Sequence, residues 1–276
     1  MSDAVLEAMI RIASEAATLV ERVYRTPFQV DFKGPRDPVT EADRQANELI
    51  CERLAAEFPG VPIVAEESEP SRFEGFRDAQ QVFFVDPVDG TNEFVERNDE
   101  FVVMIGFVDG PHATHGVIHA PVPGVAWAGS SLTPAIEIDR DGARSPLRVS
   151  EIGTLASSRV VSSRSHRSAR LERVLNDLGV REIVARGSAG LKGAEVARGK
   201  AELYLAPHYA GKRWDACASD ALVKAAGGRV TDAYGDVLDY RAESLSNDRG
   251  LVATNARIHE AVLEQLARHR AATAQA

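Results

Sequence analysis

The chain has 276 residues, 44% of them hydrophobic, which suits one large or two closely packed globular domains around a sizeable core. Its formal net charge of −9 argues against nucleic acid or an anionic membrane as partner, and an anionic substrate would need local cations. Cys51 and Cys217 both fall in helical patterns, so a reducing compartment fits better than a disulfide framework. With no leader pattern and no apolar run of membrane-spanning length, the expectation is a cytoplasmic protein.

Apolar residues at Val5, Ala8, Met9, Ile12, Ala16, Leu19 and Val23 carry the spacing of an amphipathic helix over 4–23. Residues 26–38 read as a loop or short strand, broken by Gly34, Pro35 and Pro38. Thr40 then has the pattern of an N-cap, with Asp43 at the third position of a helix reaching about Phe58. Local pattern alone makes Asp43 a capping-box partner. Pro62-Ile63-Val64-Ala65 is a strand leading into Glu66-Glu67-Ser68-Glu69, and 72–81 is a connector.

Val82 to Val85 is a buried strand ending at Asp86. Pro87 cannot donate to a ladder, so Asp86 and Asp89 are expected to leave the sheet together on a tight turn. Gly90 allows close backbone approach before a helix over 91–96. Like charges beside each other call for a cation, whereas N–H groups at a helix start favour an anion such as phosphate. A cation with a phosphate satisfies both. Glu66 also follows a strand, so neighbouring strands can deliver Glu66 and Asp86 to one sheet edge, in the oxygen-ligand chemistry that suits Mg2+.

Strands follow over 101–108, 113–119 and 124–128, with a hairpin turn at Asp109-Gly110. His112, His115 and His119 do not have the spacing of a compact ligand set and read as surface or satisfied histidines. The polar stretch 132–148 marks a join between an α+β part over 1–145 and an α/β part over 146–276. In the second part, strands over 159–162, 182–185 and 202–206 alternate with a helix over about 168–178 and a helix opened by 187–192 and ending near Gly199. Gly187 to Gly190 suggest a helix start where a ligand approaches the backbone, with Lys192 offering a point charge. Asp215 reads as the N-cap of a closely packed helix that Gly227 closes. Strands around 229–232 and 250–253 and a helix over 258–268 complete the chain.

Asp89-Gly90-Thr91 is similar to the haloacid-dehalogenase phosphatases, but their nucleophilic Asp would fall at Pro87, which rules them out. No Gly-x-Ser-x-Gly elbow supports a serine hydrolase. Together, Glu66-Glu67, Asp86-Pro-Val-Asp-Gly-Thr91 and Trp214-Asp215 followed by Gly227-Gly228 resemble the signature of the lithium-sensitive, magnesium-dependent phosphatases that include inositol monophosphatase. Pro38-Val-Thr-Glu-Ala-Asp43, Asn92-Glu93-Phe94, Ser163-Arg-Ser-His166, and Lys212-Arg-Trp-Asp215 after Gly187-Ser-Ala-Gly-Leu-Lys192 lean toward the 3'(2'),5'-bisphosphate nucleotidase branch.

The resemblance implies a layered αβαβα sandwich. It also implies that Glu66, Asp86, the Val88 carbonyl, Asp89 and Asp215 hold two or three Mg2+ ions, with Asp86 bridging. Asp43, Thr91 and Glu66 become the catalytic set that orients and deprotonates an attacking water. Asp89, Gly90, Thr91, Ser163, His166, Ser188, Lys192 and Asp215 become substrate contacts, with Gly90 and Thr91 giving backbone N–H groups to phosphate. Ala65, where relatives often have Gly, and Ser188, where they often have Gly or Thr, depart from the pattern. The implied reaction is hydrolysis of 3'-phosphoadenosine 5'-phosphate to AMP and phosphate, with an inositol or sugar monophosphatase as runner-up. A catalytically silent metal-binding regulator is disfavoured by the complete ligand set. The implied partner is a small nucleotide bisphosphate, and the pattern is compatible with a homodimer.

Overall fold

The computed structural model describes residues 3–34, 37–164 and 169–274. The first half runs α1 (Ala4–Tyr24), β1 (Val30–Gly34), β2 (Asp37–Thr40), α2 (Glu41–Glu57), β3 (Ile63–Ala65), β4 (Gln81–Asp89), α3 (Thr91–Val95), β5 (Val102–Asp109), β6 (His112–Ala120), β7 (Val125–Ser130), β8 (Ile136–Ile138) and β9 (Arg144–Pro146). The second half runs β10 (Arg159–Ser163), α4 (Ala169–Asp177), β11 (Glu182–Arg186), α5 (Ala189–Ala197), β12 (Leu203–Ala206), α6 (Arg213–Ala225), β13 (Arg229–Thr231), β14 (Leu251–Thr254) and α7 (His259–Ala274).

Strands β3 to β9 form one sheet in sequential order, antiparallel except for the β3–β4 pair; a second sheet has the order β11-β10-β12-β14-β13. Side chains alternate across a strand, and the alternation sorts the layers. Val103, Ile105 and Phe107 of β5 face the core shared with α1 and α2, whereas Val102, Met104 and Val108 face the core shared with α5 and α6. In the second sheet, Val161, Tyr204 and Ala253 join the α5–α6 core, while Val160, Leu203, Leu205 and Val252 meet α4 and α7. The order is therefore helices, sheet, helices, sheet, helices: the αβαβα sandwich.

One feature of the larger sheet fixes the site. Gly106, Gly116 and Gly129 are paired across β5, β6 and β7. A Cβ at Gly116 would stand 2.1 Å from the Ala218 carbonyl oxygen, and one at Gly106 would stand 2.5 Å from Cys217 Sγ. This glycine track lets α6 lie flush on the sheet. Gly116→Ala is accordingly expected to lower stability by about 1–3 kcal/mol through overpacking, read as a lower denaturant midpoint; a midpoint equal to wild type would contradict the close seat.

Several expectations are corrected. The stretch read as a loop or short strand contains two strands, β1 and β2, paired antiparallel, and β8–β9 extends the sheet through the stretch read only as polar. The β1–β2 pair was illegible because β1 is largely exposed on both faces and shows no two-residue alternation. His115 Nδ1 stands 2.9 Å from the Thr114 hydroxyl and Nε2 stands 3.3 Å from Asp3 without a hydrogen bond, so the expectation of a satisfied histidine is met at one ring nitrogen.

Candidate active site

Strand β4 does not end at Asp86. Asp86 pairs with Met104 and Asp89 with Val102, so β4 uses one residue more than β5 between the same two rungs. This bulge sits at Pro87 and Val88, where a missing N–H costs nothing in the ladder. Residues three apart on a regular strand point to opposite faces; the extra residue puts Asp86 and Asp89 on the same face, opposite two residues that both look toward α5 and α6. The tight turn expected after Asp86 is thus a bulge within a continuing strand.

The third carboxylate comes from α6, which the glycine track holds against that face. Asp215 is not the N-cap: Lys212 is, and Asp215 at the third helical position accepts the Lys212 backbone N–H. Asp86, Asp89 and Asp215 offer carboxylate oxygens that all lie within 4.8 Å of one another. Burial, then the charges of Glu66, Asp89 and Asp215, push the Asp86 carboxyl well above its ordinary value. Burial, then Glu66 and Asp89, push Asp215 up to about 8. Three carboxylates crowded in this way are the donor set a hard divalent ion takes.

Asp43 closes the other side. Its Oδ2 accepts from the Thr40 backbone N–H at 2.8 Å and from the Thr40 hydroxyl at 2.5 Å, which completes the capping box of α2. Its Oδ1 lies 3.1 Å from Thr91 Oγ1, which is also 3.2 Å from the Val88 carbonyl oxygen. Capping and pairing with Thr91 coexist in one side chain. Burial, against the Thr40 hydrogen bonds, raises the Asp43 carboxyl.

Glu66 stands outside the group of three. Lys33 of the hairpin lies 2.8 Å from Glu66 and 2.6 Å from Glu67. Burial would lower the Lys33 ammonium, but the two glutamates override it and hold it above its ordinary value. Burial raises Glu66 despite Lys33. Sequence reading missed Lys33, because only the unforeseen hairpin brings it to the acidic loop.

The α5 helix start is filled from within. Asp89 accepts from the Ser188 hydroxyl, from Ala189 N–H at 3.1 Å and from Gly190 N–H at 2.6 Å. The small residues there admit the β4 carboxylate rather than leaving an open cradle: a Cβ at Gly190 would stand 2.7 Å from Val102 Cγ2. Lys192 is buried, donates to the Gly187 carbonyl at 2.6 Å and lies over the Tyr204 ring, so its ammonium braces this turn. Burial lowers its pKa. Glu100, also missed, accepts Gly187 N–H at 2.8 Å and holds the Arg164 guanidinium at 2.7 and 3.1 Å.

A cleft of about 450 Å3 opens over the cluster. Asp89, Gly90, Thr91, Ser163, Ser188, Lys192 and Asp215 line it; Asp43, Glu66, Asp86 and Val88 are not part of the lining. Gly90 caps α3 in the left-handed region, with φ at 99°. His166 lies outside the described residues, as does Ser168, where the following helix was expected to begin.

The sequence model of the inositol monophosphatase family matches residues 1–271. The chain belongs to the inositol monophosphatase family. Within it, the chain is 35% identical to 3'(2'),5'-bisphosphate nucleotidase CysQ of Escherichia coli K12 over 238 residues, which is 85% of this chain and 93% of that protein. Among solved family structures, the extragenic suppressor protein suhB of Bartonella henselae superposes with a TM-score of 0.82 at 28% identity, covering 96% of this chain and 98% of that one. CysQ of Bacteroides thetaiotaomicron superposes with a TM-score of 0.75 at 29% identity, covering 91% and 97%.

Proposed function

We propose that the protein is a Mg2+-dependent 3'(2'),5'-bisphosphate nucleotidase that hydrolyses the 3'-phosphate of 3'-phosphoadenosine 5'-phosphate, giving AMP and phosphate. The convergence of Asp86, Asp89 and Asp215 beside the Thr91–Asp43 pair carries the phosphatase reading. Likeness to the CysQ nucleotidases supports the choice of substrate over an inositol or sugar monophosphate.

Asp86, Asp89 and Asp215, with the Val88 carbonyl and Glu66 alongside, would hold two or three Mg2+ ions. Bound there, divalent cations supply positive charge against the phosphoryl oxygens and acidify water. The chain's own residues do the rest. Thr91 Oγ1, donating to Asp43, keeps its lone pairs for an attacking water, and Asp43 is placed to receive the proton that Thr91 passes on. Glu66 completes that catalytic set. Gly90 and Thr91, at the start of α3, would give backbone N–H groups to the phosphate. Ser163, His166, Ser188 and Lys192 belong to the nucleotide side. Lys192 then acts by bracing the α5 start as well as through its charge.

Within this reading the protein works in the cytoplasm on a small nucleotide, without nucleic acid or membrane, as a monomer or homodimer. No helix among the described residues is long and apolar enough to cross a membrane. The test is phosphate release from 3'-phosphoadenosine 5'-phosphate in saturating Mg2+ and in chelator. Equimolar AMP and phosphate are expected with Mg2+, little of either with chelator, and slowing by lithium. No release from the nucleotide in Mg2+ would sink the proposal.

A further inference from the structure

Of the large hydrophobic side chains that are exposed among the described residues, Tyr209 alone lines the cleft, with 58% of its surface exposed. An exposed aromatic ring that lines a cleft is available to whatever binds there. The backbone that carries it is held firmly. The buried Asn247 donates from its amide to the Ala210 carbonyl at 3.0 Å, and from the same nitrogen to the Lys212 carbonyl. The Ala210 N–H donates to the Asn247 carbonyl at 3.1 Å, and the Asn247 N–H to the Gly211 carbonyl at 2.8 Å. Gly211 adopts a φ of +67°, and a Cβ there would stand 2.1 Å from Asp215 Oδ2, so the loop is registered directly against the carboxylate cluster.

We propose that Tyr209 is a pre-positioned stacking platform for the nucleobase of the substrate, and so determines preference for a nucleotide over a base-free phosphate ester. This rests on the nucleotidase reading and extends it to a residue. A rigid aromatic side chain with few rotors loses little entropy on binding, and its face accepts the π-face of any base. The hydroxyl is not needed for stacking.

The test compares wild type, Tyr209→Ala and Tyr209→Phe on 3'-phosphoadenosine 5'-phosphate and on base-free ribose 3,5-bisphosphate, at fixed Mg2+. Stacking is worth roughly five- to a hundredfold per base. Tyr209→Ala is therefore expected to raise KM for the nucleotide about tenfold, with the loss falling on KM rather than kcat. Tyr209→Phe should restore KM, and the base-free ester should not distinguish the variants. Melting curves check that the exposed truncation leaves the fold intact. Equal losses on both substrates, or a Tyr209→Phe variant as weak as Tyr209→Ala, would overturn the platform. Wild-type turnover of the nucleotide with unchanged KM in Tyr209→Ala would overturn the platform alone, whereas no wild-type turnover of the nucleotide would overturn the nucleotidase reading and the platform with it.

Discussion

Asp215→Asn is expected to cut phosphate release by on the order of a thousandfold while making the metal-free protein more stable. The two effects share one cause. Asp86, Asp89 and Asp215 crowd within 4.8 Å, so an amide relieves the metal-free protein of the cost of keeping a third carboxyl protonated or charged there, and weakens the site that would hold cations. The fold should tolerate the change, because the Asn oxygen can still accept the Lys212 N–H that caps α6. Steady-state turnover in saturating Mg2+ and a melting curve in chelator measure both halves. Turnover within about tenfold of wild type would contradict the role of this carboxylate.

In chelator, stability is expected to fall as pH rises between about 6.5 and about 8, with a slope approaching 1.4 kcal/mol per pH unit for each proton released. Asp215 is raised from 3.8 to about 8, so the folded protein holds a proton that the unfolded chain has lost. Stability from that proton is complete below the unfolded value and disappears as pH passes the folded one. His119 and His259 work the other way: burial lowers each from 6.5 to about 4, so stability rises with pH across that interval. An unfolded histidine is half protonated at pH 6.5, so this opposing contribution fades as pH rises through that value and the carboxylate trend then dominates. Saturating Mg2+ should raise the melting temperature and flatten the slope, because a cation that binds only the folded, ionised cluster stabilises it by mass action. Asp215→Asn should reduce the slope in chelator without abolishing it, because Asp86 and Glu66 are also raised by burial. An unchanged slope in that variant would place the titrating group elsewhere.

Elements whose signal lies in adjacent residues were legible. The apolar spacing of α1 and the Thr40–Asp43 capping box appear in the sequence and in the structure with nearly the same limits. The motif from Asp86 to Thr91 announced its chemistry, yet its geometry depends on a partner strand: whether Pro87 ends β4 or sits in a bulge is decided by pairing with Val102 and Met104. Asp89 meets Ser188, Ala189 and Gly190 about a hundred positions away, and no local pattern distinguishes a helix start awaiting a phosphate from one filled by a carboxylate of the same chain. Lys33 was hidden for the same reason, since it reaches Glu66 and Glu67 only through an exposed hairpin. Likewise, the N-cap of α6 fell three residues before Asp215, where Lys212 carries none of the usual capping side chains.

The most direct measurement is kcat/KM for 3'-phosphoadenosine 5'-phosphate beside inositol 1-phosphate, at one Mg2+ concentration and one ionic strength, with AMP identified as product. A second phosphate held by even one charged hydrogen bond favours the nucleotide by roughly tenfold or more, and that preference is the predicted result. A higher kcat/KM for inositol 1-phosphate would contradict the nucleotidase assignment while leaving the carboxylate cluster as the shared core of a monophosphatase.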